Sequence, residues 1–204
     1  KPNDFRAVLS TGAVIFDRGD YKFVGCNLAE ETLWLLGSQG VKKFEALRGI
    51  RPENNSNAFV EGGYLIMRDG WEKTDNYMLI DCGNMGGLAG GHSHADALSI
   101  NLAAGGRTML VDPGTYTYHE SKELRDYFRS TSAHNTLCVN QKSSSEFGGA
   151  FSWQNSAQAK IDSWISQDRF DFFLGSHDGY KRLAKPATHS RSVWLPSPRH
   201  RGCP

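Results

Sequence analysis

The chain has 204 residues, enough for one large domain or for one domain with part of another. Hydrophobic residues make up 39% and charged residues 22%, an ordinary globular composition that excludes a disordered tail. Lys+Arg total 23 against 22 Asp+Glu, so no global basic field awaits nucleic acid, and no apolar run approaches a membrane span.

The first residues have no signal-peptide h-region, which in a fragment says little about the parent protein. None of the four cysteines, Cys26, Cys82, Cys138 and Cys203, sits in a C-x-x-C pair. Cys82 and Cys138 fall in apolar strand-like runs and read as small core residues, so no disulfide framework or cysteine metal site is expected. The 22 glycines and 11% aromatics lean toward a β-rich chain with frequent turns.

In chain order, Gly12–Arg18 has the length of a strand, although periodicity does not exclude a buried helical turn. Asn27 with Glu30 has capping-box spacing, and Gly37 is a natural stop, predicting a short helix over 27–37. The polar stretch 48–57 reads as a linker. Beyond it, strands are predicted over 59–68, 76–82, 97–103, 107–111, 136–140, 157–166 and 169–176. A helix over 120–128 interrupts them, and Arg191–Trp194 begins another strand. Serial short strands with Gly- and Pro-containing turns predict a mainly β chain, an antiparallel β-sandwich after a short helical segment. The tail after Trp194, with Pro196 and Pro198, does not continue a central strand, so the sandwich is expected to be incomplete or the tail foreign.

The segment Gly90-Gly-His-Ser-His-Ala-Asp96 carries the most chemistry. In extended backbone His92, His94 and Asp96 project to one side, and neighbouring neutral imidazoles suit a metal. The plainer reading is a pair of structural histidines near a turn. Asp96 reads as an acceptor that orients an imidazole. Leu98, Ile100 and Leu102 share the parity of His92 and His94, so either the histidines end the inward face or the chain bends near Asp96. Asp112 in Val-Asp-Pro-Gly114 caps a turn or presents its carboxylate to a ligand, and His134 sits in a loop. Two histidines and a carboxylate would make a mixed N/O site usual for zinc.

Three segments, Gly91-His-Ser-His-Ala-Asp-Ala-Leu-Ser99, Leu110-Val-Asp-Pro-Gly-Thr-Tyr-Thr-Tyr118 and Tyr127-Phe-Arg-Ser-Thr-Ser-Ala-His-Asn-Thr136, resemble in order and spacing the heparinase II/III-like polysaccharide lyases, a family with related alginate lyases. The likeness covers residues 57–180 best, and residues 1–48 resemble the end of the helical toroid that precedes the sandwich. It implies domains at 1–50 (toroid remnant and linker) and 57–204 (sandwich). It also implies β-elimination on an acidic, uronate-containing polysaccharide, heparan sulfate, heparin and alginate all being open. By the same resemblance His92 is an active-site histidine, Tyr116 or Tyr118 an accessory catalytic tyrosine, and His94, Asp112 and His134 the ligands of a structural zinc. The missing toroid would supply the main catalytic tyrosine and the group that neutralises the carboxylate, so the chain alone is expected to be inactive and its bacterial parent periplasmic or secreted.

Arg125 and Arg129, with Lys122, Arg182 and Arg191, are candidates for contacts to sulfate or carboxylate. Trp71, Trp153 and Trp164 are candidates for stacking on sugar or for the core, while His177, His189 and His200 have no partner motif. Two rival functions stand: a carbohydrate-binding or scaffold domain with structural zinc, and a zinc-dependent hydrolase.

Overall fold

The computed structural model describes residues 6–87 and 90–196. The chain divides into two compact units after Asn55.

The first unit holds helices α1 (Ala7–Phe16), α2 (Gly19–Gly25) and α3 (Glu30–Ala46). Of the two readings open for Gly12–Arg18, strand or helical turn, the structure takes the helix. Val14, Ile15 and Phe16 end a helix that begins at Ala7 and stops at Asp17 in the left-handed region. The apolar run was too short to reveal a period of its own. The helix expected from Asn27 starts at Glu30, and its N-cap position, Ala29, has no side-chain cap. The backbone N–H of Ala29 instead donates to Ser10 Oγ at 3.1 Å, which also lies 2.5 Å from Thr32 Oγ1. Gly37, with φ 62°, breaks α3 where a stop was expected, but the helix then resumes to Ala46. Lys22 Nζ donates to the carbonyls of Phe44 (2.5 Å) and Leu47 (2.7 Å), placing a cation at the negative end of α3.

The second unit is built of antiparallel sheets. Strands β1 (Asn57–Phe59), β2 (Tyr64–Arg68), β3 (Tyr77–Asp81), β4 (Ile100–Ala104) and β5 (Arg107–Leu110) form a five-stranded meander. Helix α4 (Lys122–Phe128) and a 3₁₀ turn at Thr131–Ala133 follow. A hairpin of β6 (Glu146–Gly149) and β7 (Ser152–Asn155) comes next. The last sheet has the order β10-β9-β8, from β8 (Ala159–Gln167), β9 (Phe170–His177) and β10 (His189–Pro196). Leu65, Met67 and Ile80 of the meander share one core with Phe173 and Ala159 of the last sheet, the arrangement of a β-sandwich. Gly175 is required there, because a Cβ would lie 2.4 Å from Phe173 Cζ.

Four expectations are corrected inside this unit. The run 59–68 is two strands, with the turn Val60–Gly63 between them. Residues 136–140 form no strand, only an isolated Val139–Lys142 bridge around Asn140 and Gln141, both with positive φ. Cys138 consequently leaves the core, whereas Cys82 is 4% exposed and burial pushes its thiol up to about 12. The β6–β7 hairpin was not foreseen. Its segments are four residues long, β6 ends in two glycines, and their pairing shifts register twice, so no alternation marks them. The tail from residue 197, with His200 and Cys203, lies outside the described residues.

Candidate active site and metal centre

The histidine segment is not a continuous strand. The N–H of Ser93 donates to the carbonyl of Gly90 (2.9 Å) and that of Ser99 to the carbonyl of Asp96 (2.7 Å). Between them Leu98 adopts φ 61° while its side chain is fully buried. This left-handed residue resolves the parity conflict, since the chain bends before β4 and frees the histidines from the core register. The loop at 129–136 docks on the bend. Ala95 donates its N–H to the carbonyl of Arg129 (2.9 Å), and Thr131 Oγ1 donates to the carbonyl of Ala95 (2.5 Å). Thr136 Oγ1 donates to the carbonyl of Ala97 at 2.8 Å. Asn135 Nδ2 donates to the carbonyls of Ile100 (3.1 Å) and Val111 (2.8 Å), and Arg191 from β10 bonds the carbonyls of Leu98 and Asn135, each at 2.8 Å.

These ties bring His94 and His134 together, with ring centroids 5.1 Å apart. His94, Asp96 and His134 each offer a ligand atom, and these atoms lie within 4.8 Å of one another, so the group can hold a metal ion. Asp112 Oδ2 pairs with His134 Nδ1 at 2.9 Å, while its Oδ1 accepts the N–H of Gly114 at 2.7 Å. Nε2 of His134 is buried without a hydrogen-bond partner. Burial alone would lower the pKa of His134, but the bond to Asp112 and the charges of Asp96 and Asp112 raise it. That bond holds the Asp112 carboxyl below its usual value. Burial, helped by His134, brings His94 down to about 4 and keeps its nitrogens free of a second proton at neutral pH. Burial raises the carboxyl of Asp96, and it raises Asp81, with help from Asp96, to about 7. A buried imidazole nitrogen with no partner, a neutral imidazole and crowded carboxylates are the donor set a divalent cation fits.

Asp81, Asp96, His94 and His92 line a cleft of about 470 Å³, together with Tyr64 and Asn84. His92 is exposed at its edge, and its Nδ1 lies 3.3 Å from the hydroxyl of Tyr118. Phe151, in the turn of the β6–β7 hairpin, stacks on Tyr118 at 5.7 Å and meets His92 edge-on at 6.0 Å. Tyr116 is 67% exposed and stacks on Phe128 instead.

Arg125 and Arg129 face inward, each 1% exposed. Arg129 bonds Asp126 (2.6 Å) and the carbonyls of Gly149 (2.7 Å) and Ala150 (3.2 Å). Arg182 bonds the carbonyls of Ser143, Ser144 and Gly179, and Lys122 pairs with Asp126. Trp153 Nε1 donates to the carbonyl of Gly90 (3.0 Å), Trp71 lies against Arg68, and Trp164 packs on the core.

The heparinase II/III-like C-terminal family matches residues 51–201. The chain belongs to this family. Among relatives of this heparinase II/III-like domain, the heparin-sulfate lyase of Bacteroides stercoris is 26% identical over 150 residues, 72% of this chain and 20% of that protein. That of Pedobacter heparinus is 24% identical over 161 residues, 76% of this chain and 22% of that protein. The chain thus spans about a fifth of the length of the curated relatives it matches. The crystal structure of a heparan sulfate lyase from Pedobacter heparinus superposes with a TM-score of 0.67 at 20% identity, covering 94% of this chain and 25% of that one. A heparinase III structure gives 0.66 at 20% identity, covering 96% and 25%. These likenesses establish the sandwich fold.

Sequence reasoning about this heparinase II/III-like domain passed over Asp81 and Phe151. Asp81 ends β3, where a carboxylate looks like an ordinary strand terminus. Phe151 lies in the hairpin that was missed. Asp96 was read only as an orienting acceptor, yet it lies within the ligand group itself.

Proposed function

We propose that this chain is the sandwich part of a polysaccharide lyase that cleaves uronate-containing glycans of the heparan sulfate class by β-elimination. The observation that carries this reading is the His92–Tyr118 contact at the edge of the cleft, in a chain whose relatives are named heparin-sulfate lyases. In the elimination a base takes the C5 proton of the uronate. The freed pair becomes the C4–C5 double bond, the C4–O bond breaks, and an acid protonates the departing oxygen. His92 and Tyr118 stand close enough for one to hold a proton while the other serves the sugar. Tyr118 takes the tyrosine role rather than Tyr116, because it is the one that reaches His92. Charge developing on the uronate carboxylate needs donors aimed at it. His92 offers one, and the helical domain of the parent supplies the others.

His94, His134 and Asp96 would hold a zinc ion, supported by their converging donor atoms, the unpartnered Nε2 of His134 and the neutral His94, whereas Asp112, expected as the third ligand, bonds Nδ1 of His134 and orients that ring. When bound, the ion supplies the positive charge that the neighbouring carboxylates lack and cross-links the two loops below His92. Because a polysaccharide does not cross a membrane unaided, the parent acts in the periplasm or outside the cell, which fractionation of the producing cells checks.

The test is an ultraviolet assay of unsaturated uronate released from heparan sulfate by the complete enzyme. His92→Ala should abolish the signal with metal content and Tm unchanged. Loss of the metal along with activity would place His92 in the metal site, and cleavage without absorbance would mean a hydrolase. The isolated 204-residue chain should be inactive, and turnover at ordinary enzyme rates overturns that point.

A further inference from the structure

Arg125 is the anomaly of the site. It is 1% exposed, and its Nε and Nη1 are buried with no hydrogen-bond partner. Its Nη2 donates to the carbonyl of Gly91 at 3.2 Å. The nearest acid on its own helix, Asp126, is engaged by Lys122 and Arg129. Desolvating a cation without a paired anion costs several kcal/mol, and an apolar side chain of similar volume would avoid that cost. What surrounds the guanidinium is aromatic: the Tyr118 ring at 5.1 Å and the Phe151 ring at 5.9 Å, both within cation–π range. One planar group therefore touches the residue preceding His92 and the ring that His92 contacts.

We propose that Arg125 is a positioning residue for the His92–Tyr118 pair, holding the Gly91 carbonyl on one side and the Tyr118 ring on the other. It does not touch substrate, since it is closed off beneath Tyr118 and Phe151. Arg129 braces the same platform through the hairpin carbonyls at Gly149 and Ala150. The sequence suggests a sugar-binding arginine here, whereas the structure turns that cation into a support. The inference rests on the reading of His92 and Tyr118 as the working pair.

The experiment compares Arg125→Met, Arg125→Lys, His92→Ala and Tyr118→Phe in the complete enzyme acting on heparan sulfate. Displacing a catalytic pair by about 1 Å costs about 10²-fold in rate, so Arg125→Met should lower kcat by about that factor with KM little changed. Arg125→Lys keeps the charge but not the planar fork and should fall between Met and wild type. A rise in KM with kcat unchanged would make Arg125 a substrate ligand and overturn the proposal. Wild-type kcat and KM in folded Arg125→Met would overturn it as well. If Arg125→Met does not fold, Arg125→Lys decides: a lower kcat at the same KM supports the proposal, and wild-type values end it. The underlying reading fails separately, if His92→Ala and Tyr118→Phe both turn over at the wild-type rate.

Discussion

The sandwich holds two histidine pairs of nearly equal spacing, the half-buried His94 with His134 at 5.1 Å and the buried His177 with His189 at 4.9 Å between ring centroids. Their surroundings differ. At the second pair the N–H of Gly179 donates to Nδ1 of His177 at 3.1 Å, so His177 carries its proton on Nε2 and donates it to Nδ1 of His189 at 3.0 Å. At the first pair Nδ1 of His134 bonds the Asp112 carboxylate at 2.9 Å, Nε2 of His94 lies 3.5 Å from the Thr115 hydroxyl, Asp96 stands within the same cluster, and Nε2 of His134 has no partner. Two imidazoles in contact are therefore no evidence of a site. An unfilled nitrogen beside crowded carboxylates is.

The sharpest way to break this contrast is His134→Ala. It should abolish metal content and destabilise the domain by about 2 kcal/mol, because a fully buried imidazole and its bond to the partly exposed Asp112 are both lost. That corresponds to a Tm about 6 °C lower. Elemental analysis and a thermal melt report both, and a wild-type melt unchanged by a chelator would undo the distinction. Asp112→Asn should weaken metal affinity at least about tenfold, measured by competition with a chromophoric chelator. His177→Ala should leave metal content untouched and cost about 2 kcal/mol in denaturant unfolding, since Gly179 N–H and His189 Nδ1 lose their partners.

The smallest effect is one of pH. Burial, helped by His189, brings His177 from 6.5 down to about 4. Between those values the unfolded chain binds a proton that the folded one refuses. Stability from this group is thus fully present above 6.5 and is lost as pH falls toward about 4. The loss should reach about 1 kcal/mol near pH 5.5. Unfolding curves of wild type and His177→Gln should differ in slope with pH only in that window, and parallel curves would show that His177 is not the group responsible.

The metal-type cluster was more legible than its support, though only in part. His94 and His134 stand in motifs that resemble a ligand set, whereas Asp96, which shares their cluster, read only as an orienting acceptor, and the Asp-Pro-Gly turn marks where Asp112 leaves the sheet. Arg125 and Arg129 carry no such mark. A surface arginine and a buried one look alike in sequence, and only the hairpin covering them decides. Which of Tyr116 and Tyr118 approaches His92 was equally closed to sequence. It depends on a left-handed backbone at Tyr116, φ 60°, which sends that ring to Phe128 and leaves Tyr118 to His92.

Local order determined what local order can: the strands β8 and β9, the turns between strands, the break at Gly37 and the kinds of side chain that stand at 92–96, 112 and 134. The tertiary structure decided the rest. The bend at Leu98, the docking of the 129–136 loop through Asn135 and Arg191, and the bare Nε2 of His134 arise where segments far apart in the chain share hydrogen bonds. A propensity acts over a few neighbouring residues. Whether a buried polar atom is satisfied depends on every segment folded against it.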